Sequence, residues 1–163
     1  MKRTAGLTVA LAAMGAIAIT GCGGSSNSGS SSSSSNSGLS KQQLAARADA
    51  QCIAYRKAAT AIPQPKDFAT NPVAAAAFLD KLKPLVAAQE SAMLALKPDS
   101  TVKPLWDRFV AAGEHGTALF NDADAKAHAR DRAGLTDLER LAAYKTGTAD
   151  PIARQLGATA CAK

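Results

Sequence analysis

Aromatic side chains are scarce in this 163-residue chain, which has one Trp, two Tyr and four Phe, together 4% of its residues. Apolar residues nevertheless make up 47%, because alanine is abundant. Alanine favours helix, but each buried alanine removes little area from water. The composition therefore predicts a thin helical core that needs a further constraint.

Strand patterns are also missing, since no alternating run of β-branched residues occurs from Leu39 onward. Helical periodicity takes their place. The segment Ser40–Gln43 fits a capping box, which predicts the start of a first helix. Apolar residues from Leu44 to Ile62 then recur at intervals of three or four, until Pro63 stops the helix.

A second helix is predicted to begin at Asn71, with Asn as the cap and Pro72 in the first turn. Pro84 lies within this helix. Because proline lacks an amide hydrogen, we expect it to kink the helix or to split it near Lys83.

The remaining helices are predicted from their start signals. The third begins among residues 100–104, and a capping box at Thr136–Glu139 starts the fourth. Asp150 is expected to cap a last short helix, which Gly157 closes in a left-handed conformation. Short connections favour an all-α fold, an antiparallel four-helix bundle over residues 39–163 with room for this extra C-terminal helix.

The usual catalytic motifs are absent. The chain has two histidines, His115 and His128, no Gly-x-Ser-x-Gly and no His-Glu-x-x-His. The close carboxylates Asp122 and Asp124, with Glu114 two turns earlier, are the remaining candidates for acid–base chemistry. Such residues are usually solvated, so the sequence predicts no enzyme and no cofactor.

The N-terminal segment carries the clearest signal. Lys2 and Arg3 precede an apolar run, residues 7–19, that is too short to cross a bilayer. The run ends in small residues followed by Cys22, a combination that resembles the lipobox of bacterial lipoproteins. The resemblance implies that residues 1–21 are a lipoprotein signal peptide and that Cys22 is lipidated. The protein is then exported and anchored to the extracytoplasmic face of the cell membrane.

Residues 22–38 follow as an expected tether. From Gly23 to Gly38 the segment is almost entirely Gly, Ser and Asn, so we expect disorder. The formal charge of +6 falls by two without Lys2 and Arg3. This mild excess permits weak attraction to anionic headgroups or wall polymers but predicts no nucleic-acid partner.

Two cysteines remain in the helical region, Cys52 and Cys161. In an exported protein, an even pair favours a disulfide. A metal site built on both would need two further ligands, and none is evident. Cys52 lies on the apolar stripe of the first helix and therefore faces inward, where a disulfide would be built. Because the two cysteines lie near opposite ends of the helical region, the expected disulfide would clamp those ends together.

These features together resemble a group of small lipoproteins and secreted proteins of actinobacteria. The matching features are the lipobox at Cys22, the Ser/Gly tether, the early cysteine in Ala50–Ile53, and Ala153–Gly157 followed by Cys161. The resemblance implies a helical bundle clamped by a disulfide, and it implies no catalytic residues.

Candidate binding residues are few. Tyr55, Phe78, Trp106 and Phe109 either form a ligand pocket or belong to the core. Gln89, on the inner face of the second helix, either lines a cavity or shows that the register is off by one residue.

Metal binding is the second open possibility. Asp124 and His128 share a helix face at i and i+4 and are the weak metal candidates, with Glu114 or His115 as conceivable neighbours. The alternative is that both histidines are simply exposed.

The leading hypothesis is a membrane-anchored bundle that binds an envelope protein, a wall polymer or a small ligand without catalysis. A carrier or sensor of a small ligand or a metal is the alternative, and a hydrolytic enzyme is the third reading.

Overall fold

The computed structural model describes residues 38–163, and every element within them is helical. The expectations for residues 1–21, for Cys22 and for nearly all of the tether lie outside the described residues. Five α-helices and one π-helical segment follow each other along the chain: α1 Lys41–Thr60, α2 Pro72–Leu94, α3 Lys103–His128, α4 Ala133–Tyr144, the π-helical segment Lys145–Ala149, and α5 Asp150–Leu156.

The first two helix starts are confirmed. Ser40 and Gln43 form a reciprocal capping box, in which each side chain accepts a hydrogen bond from the other residue's backbone N–H. Asn71 Oδ1 accepts from the N–H groups of residues 73 and 74. Pro84 does not split α2, which continues to Leu94. The neighbouring turns therefore hold the helix together where one backbone hydrogen bond is missing.

The start of α3 depends on Asp99, a residue that the sequence analysis did not single out. Its carboxylate Oδ1 accepts hydrogen bonds from the N–H groups of Thr101 and Val102 and from the Thr101 hydroxyl, at 2.9, 3.0 and 2.6 Å. These bonds lower the pKa of Asp99, the hydroxyl contributing most. Further along, α3 continues to His128.

The predicted start of α4 is wrong. The helix begins at Ala133, three residues before the expected Thr136 cap. Asp131 Oδ1 accepts from the Ala133 N–H at 2.9 Å. Asp137, which the pattern placed in the first turn, is instead buried against α3.

The predicted break before the last helix is also corrected. Asp150 has helical backbone angles and does not cap α5. A π-helical turn joins α4 to α5, and the Lys145 Nζ lies 2.8 Å from the buried Asp150 Oδ1 across it. Gly157 ends α5 in the left-handed conformation, as predicted, with φ +90°.

The helices pack as an antiparallel bundle around two apolar clusters. Alanine supplies two of the eight buried residues of the first cluster and three of the five of the second. One cluster joins α1 to the C-terminal turn and contains Leu44, Ala48, Cys52, Met93, Val102, Trp106, Leu156 and Ala158. The other lies between α2 and α3 and contains Ala75, Ala76, Leu79, Phe120 and Ala127.

The predicted disulfide between Cys52 and Cys161 is present, with the two Cα atoms 5.2 Å apart. The cysteines are 109 residues apart in sequence. In the chain-entropy model, closing a loop of that length contributes about 4–5 kcal/mol. This bond is the additional constraint that the thin core called for.

The N-terminal edge of the bundle is fixed by backbone pairing. Leu39 donates to the Lys97 carbonyl at 2.8 Å, and the Asp99 N–H donates to the Leu39 carbonyl at 2.9 Å. A Cβ at Gly38 would collide with the backbone of Pro98 and Asp99. Gly38, assigned by sequence to the tether, therefore packs against the loop between α2 and α3.

Within residues 38–163, none of the helices combines the length and the apolar character that a membrane span requires.

Candidate functional site

A groove of about 570 Å³ runs along the bundle between α1, α2, α3 and the C-terminal helices. Its walls are mainly apolar, and the Cys52–Cys161 disulfide forms part of them. The apolar side chains that line it include Val86, Met93, Leu94, Phe109, Val110, Phe120, Leu138 and Leu141. Its volume falls within the range of small-molecule pockets, about 300–1,000 Å³.

Gln89 lines this groove from α2, so the first of the two alternatives for it is correct. Its Nε2 donates to Cys52 Sγ at 3.5 Å, which is a weak hydrogen bond. Tyr55, one turn after Cys52 on α1, also lines the groove, and burial raises the pKa of its hydroxyl. Polar atoms thus stand at intervals along an apolar wall, which is typical of sites that orient an apolar ligand.

The charged residues around the groove differ in whether they have a hydrogen-bond or ion-pair partner. Arg56 donates to the Ala160 carbonyl, and Lys145 pairs with Asp150. Glu90 and Glu114 form no ion pair within residues 38–163. The two glutamates are therefore free to interact with a ligand or with water.

The four predicted pocket aromatics divide into two pairs. Tyr55 and Phe109 line the groove, whereas Phe78 and Trp106 do not. Phe78 packs edge-to-face on Phe68 with ring centroids 5.3 Å apart. Trp106 is buried in the first apolar cluster, where it contacts Phe109 and borders a smaller cavity of about 210 Å³. For Trp106 the core interpretation is correct, whereas Phe78 is partly buried and belongs to neither apolar cluster.

The two metal candidates lie together. On α3, the His128 Nδ1 is 3.3 Å from the Asp124 Oδ1. The structure adds Asp80 of α2, whose Oδ2 is 3.3 Å from the His128 Nε2. One ligand atom from each of the three residues lies within 4.8 Å of the others. Lys83, also on α2, reaches the Asp124 Oδ2 at 2.6 Å.

Burial differs sharply within this cluster. Asp124 is 3% exposed, whereas the side chains of Asp80 and His128 are 54% and 50% exposed. The hydrogen bond between the His128 ring and the Asp124 carbonyl, together with the charge of Asp80, raises the pKa of His128. Lys83 has a raised pKa because it is hydrogen-bonded to Asp124.

The other residues considered for acid–base chemistry or metal binding lie outside this cluster. Asp122 pairs with Lys126 at 2.8 Å. His115 packs against Tyr144 in a tilted arrangement with ring centroids 4.5 Å apart, and Glu114 lines the groove. Glu114 and His115 are therefore not part of the His128 cluster. The arrangement offers two places for binding, the groove and the Asp80–Asp124–His128 cluster.

Asp80 could not be assigned to this cluster by periodicity within one helix. The i, i+4 spacing of Asp124 and His128 was readable, but Asp80 depends on the register between α2 and α3. The available signal was the antiparallel arrangement, which brings the middle of α2 beside the end of α3.

No family model, curated protein or solved structure matches the chain.

Proposed function

We propose that this protein is a lipoprotein of the bacterial cell envelope and that its helical domain acts by binding a small apolar molecule. The lipobox-like segment ending in Cys22 supports the location. The groove of about 570 Å³ supports the binding role and is the observation that carries it. Catalysis is not part of the proposal, because the candidate acid–base residues do not share a site: Asp122 pairs with Lys126, Asp124 pairs with Lys83, and Glu114 lines the groove.

The chemistry of the groove favours an apolar ligand over a polar one. A polar ligand would lose its hydrogen bonds to water on entering the groove. A wall of Met, Val, Leu and Phe side chains offers no hydrogen bonds to replace them. An apolar ligand removes both its own surface and that wall from water, at about 25 cal/mol per Å². Gln89 and Tyr55, which line the groove, then supply hydrogen bonds to a polar group of the ligand.

Glycine offers a way to test the groove without disturbing the fold. Gly113 lines the groove, and a Cβ added there meets no atom within 4 Å. Gly113→Leu should therefore fill part of the groove while improving helix propensity. Gly147 also has open space around its Cβ but does not line the groove. Gly147→Leu is the matched control.

The test is the fluorescence of N-phenyl-1-naphthylamine, a neutral apolar probe, titrated with the purified protein. We expect saturable binding that Gly113→Leu weakens at least about tenfold and that Gly147→Leu leaves unchanged. Equal binding by both variants, or no saturable binding, would contradict a small-ligand groove. The remaining binding hypothesis would then be an envelope protein or a wall polymer, identified by crosslinking in cells.

The anchor is tested separately. Cys22→Ala should move the protein from the membrane fraction to the soluble exported fraction. Retention of Cys22→Ala in the membrane fraction would contradict the lipid anchor but would not affect the groove, whose residues all lie beyond the tether.

A further inference from the structure

The cluster of Asp80, Asp124 and His128 combines ligand types that bind transition-metal ions. Two carboxylates come from α2 and α3, and the imidazole lies one turn after the α3 carboxylate. Two ligands of one tetrahedral zinc ion, each at 2.0–2.2 Å, lie about 3.3–3.6 Å apart. The separation of 3.3 Å between His128 Nε2 and Asp80 Oδ2 fits that geometry.

The second observation is an unsatisfied oxygen. Asp124 Oδ1 is buried and has no hydrogen-bond partner among the described residues. Its other carboxylate oxygen, Oδ2, accepts from Lys83 at 2.6 Å. A buried carboxylate oxygen without a donor is costly, and this one lies beside the His128 ring, 3.3 Å from its Nδ1.

The histidine ring is oriented as in many metal sites. Its Nδ1 lies 3.0 Å from the Asp124 backbone carbonyl, so the neutral ring donates its Nδ1–H to that oxygen. Nε2 is then the unprotonated ring nitrogen, and it lies 3.3 Å from the Asp80 Oδ2. Metal-binding histidines commonly hold the other ring nitrogen in this way, which fixes the tautomer.

We propose that Asp80, Asp124 and His128 form a binding site for a divalent transition-metal ion of the zinc class, with water completing the coordination. The imidazole disfavours Ca²⁺ and Mg²⁺, which select oxygen ligands. Lys83 neutralises the far side of Asp124 and holds that carboxylate in place. None of the three ligand residues lines the groove, so this site is independent of the proposed apolar ligand.

The experiment is a calorimetric titration with Zn²⁺. The protein is purified with the disulfide formed and without a histidine tag, and it carries Cys22→Ala so that no free thiol competes for the ion. We expect one Zn²⁺ per chain. Asp80→Asn and His128→Ala should each weaken binding at least about tenfold. Both side chains are half exposed, so neither change is expected to unfold the bundle.

The other histidine supplies the control. His115 packs against Tyr144 away from the cluster, so His115→Ala should bind Zn²⁺ as the unsubstituted protein does. A second readout is the imidazole ¹⁵N spectrum, in which Zn²⁺ should shift Nε2 of His128 and leave His115 in place.

Three results would overturn the proposal. They are no binding below millimolar Zn²⁺, an affinity that Asp80→Asn and His128→Ala leave unchanged, and a preference for Ca²⁺ over Zn²⁺. Any of them would reduce the cluster to an ion-pair network between α2 and α3.

Discussion

Asp49, in the middle of α1, binds the backbone N–H of Ala160, which lies 111 residues later in the sequence. The Asp49 Oδ1 accepts this hydrogen bond at 2.7 Å and a second one from the Cys161 N–H at 3.2 Å. Arg56, two turns further along α1, donates to the Ala160 carbonyl. The C-terminal turn is thus attached to α1 by polar contacts as well as by the disulfide.

Removal of the Asp49 carboxylate should release this turn. Asp49→Ala leaves two partly buried N–H groups without an acceptor, so we expect the free energy of unfolding to fall by about 1–3 kcal/mol. Asp49→Asn keeps an acceptor oxygen and should recover much of that loss. Urea denaturation of both variants checks this. An Asp49→Ala variant as stable as the unsubstituted protein would show that water replaces the carboxylate.

Loss of the disulfide should cost more. With 109 residues between the cysteines, the chain-entropy model gives about 4–5 kcal/mol for the double change Cys52→Ser and Cys161→Ser. Dithiothreitol should lower the urea midpoint of the unsubstituted protein and leave that of the double variant unchanged. Labelling of free thiols at both positions in the exported protein would contradict the pairing.

The helices could be predicted where a local signal marks their start. Ser40 and Asn71 cap through their own side chains, and both starts were correct. The prediction at Thr136 failed because a capping-box sequence is also compatible with a helix interior, and the helix begins earlier, at Ala133, whose N–H donates to Asp131 Oδ1. The pattern indicated a break before Asp150 but not the π-helical turn that keeps the chain helical there.

The candidate sites could likewise be predicted only where a signal within one segment of sequence was enough. Cys52 and Cys161 could be paired from composition and location, because only two cysteines remain in the helical region. Tyr55 and Trp106 could not be distinguished by pattern, yet the first lines the groove and the second is in the core. Asp80 required the register between two helices, which a single-helix pattern does not contain.

A tight contact between α3 and α4 depends on Gly134. A Cβ at this position would lie 2.9 Å from the Ala123 carbonyl oxygen and 3.0 Å from the Lys126 Cβ. Gly134→Ala should therefore force the helices apart and lower the free energy of unfolding by about 1–3 kcal/mol.

Gly147→Ala is the control, because its Cβ meets no atom within 4 Å and alanine favours helix. We expect it to be neutral or mildly stabilising. Equal thermal midpoints for the two variants would mean that the junction relaxes freely around Gly134.

Next to this junction, Asp137 is a carboxylate only 2% exposed. Lys126 Nζ lies 2.5 Å from its Oδ2, and the Arg140 guanidinium lies 2.9 Å from its Oδ1. The hydrogen bond from Lys126, with the charges of Lys126 and Arg140, lowers the pKa of Asp137 despite the opposing effect of burial. Lys126 is also paired with Asp122, so two further charged residues, Arg140 and Asp122, flank the Asp137–Lys126 pair.

This lowered pKa predicts how stability depends on pH. Because the folded-state pKa of Asp137 lies below the unfolded-state value of about 4, its contribution is complete above that value. The contribution is lost as the pH falls through the folded-state pKa. Asp137→Asn should therefore lower the free energy of unfolding at neutral pH and flatten its decline below about pH 4. Urea midpoints from about pH 7 to pH 3 measure both effects.

Asp107→Asn, which removes the exposed partner of Lys103, is the control and should leave the pH dependence of stability close to that of the unsubstituted protein. If Asp137→Asn keeps the original acid dependence, other carboxylates carry it, and the ion pair with Lys126 stabilises the fold no more than an exposed one does.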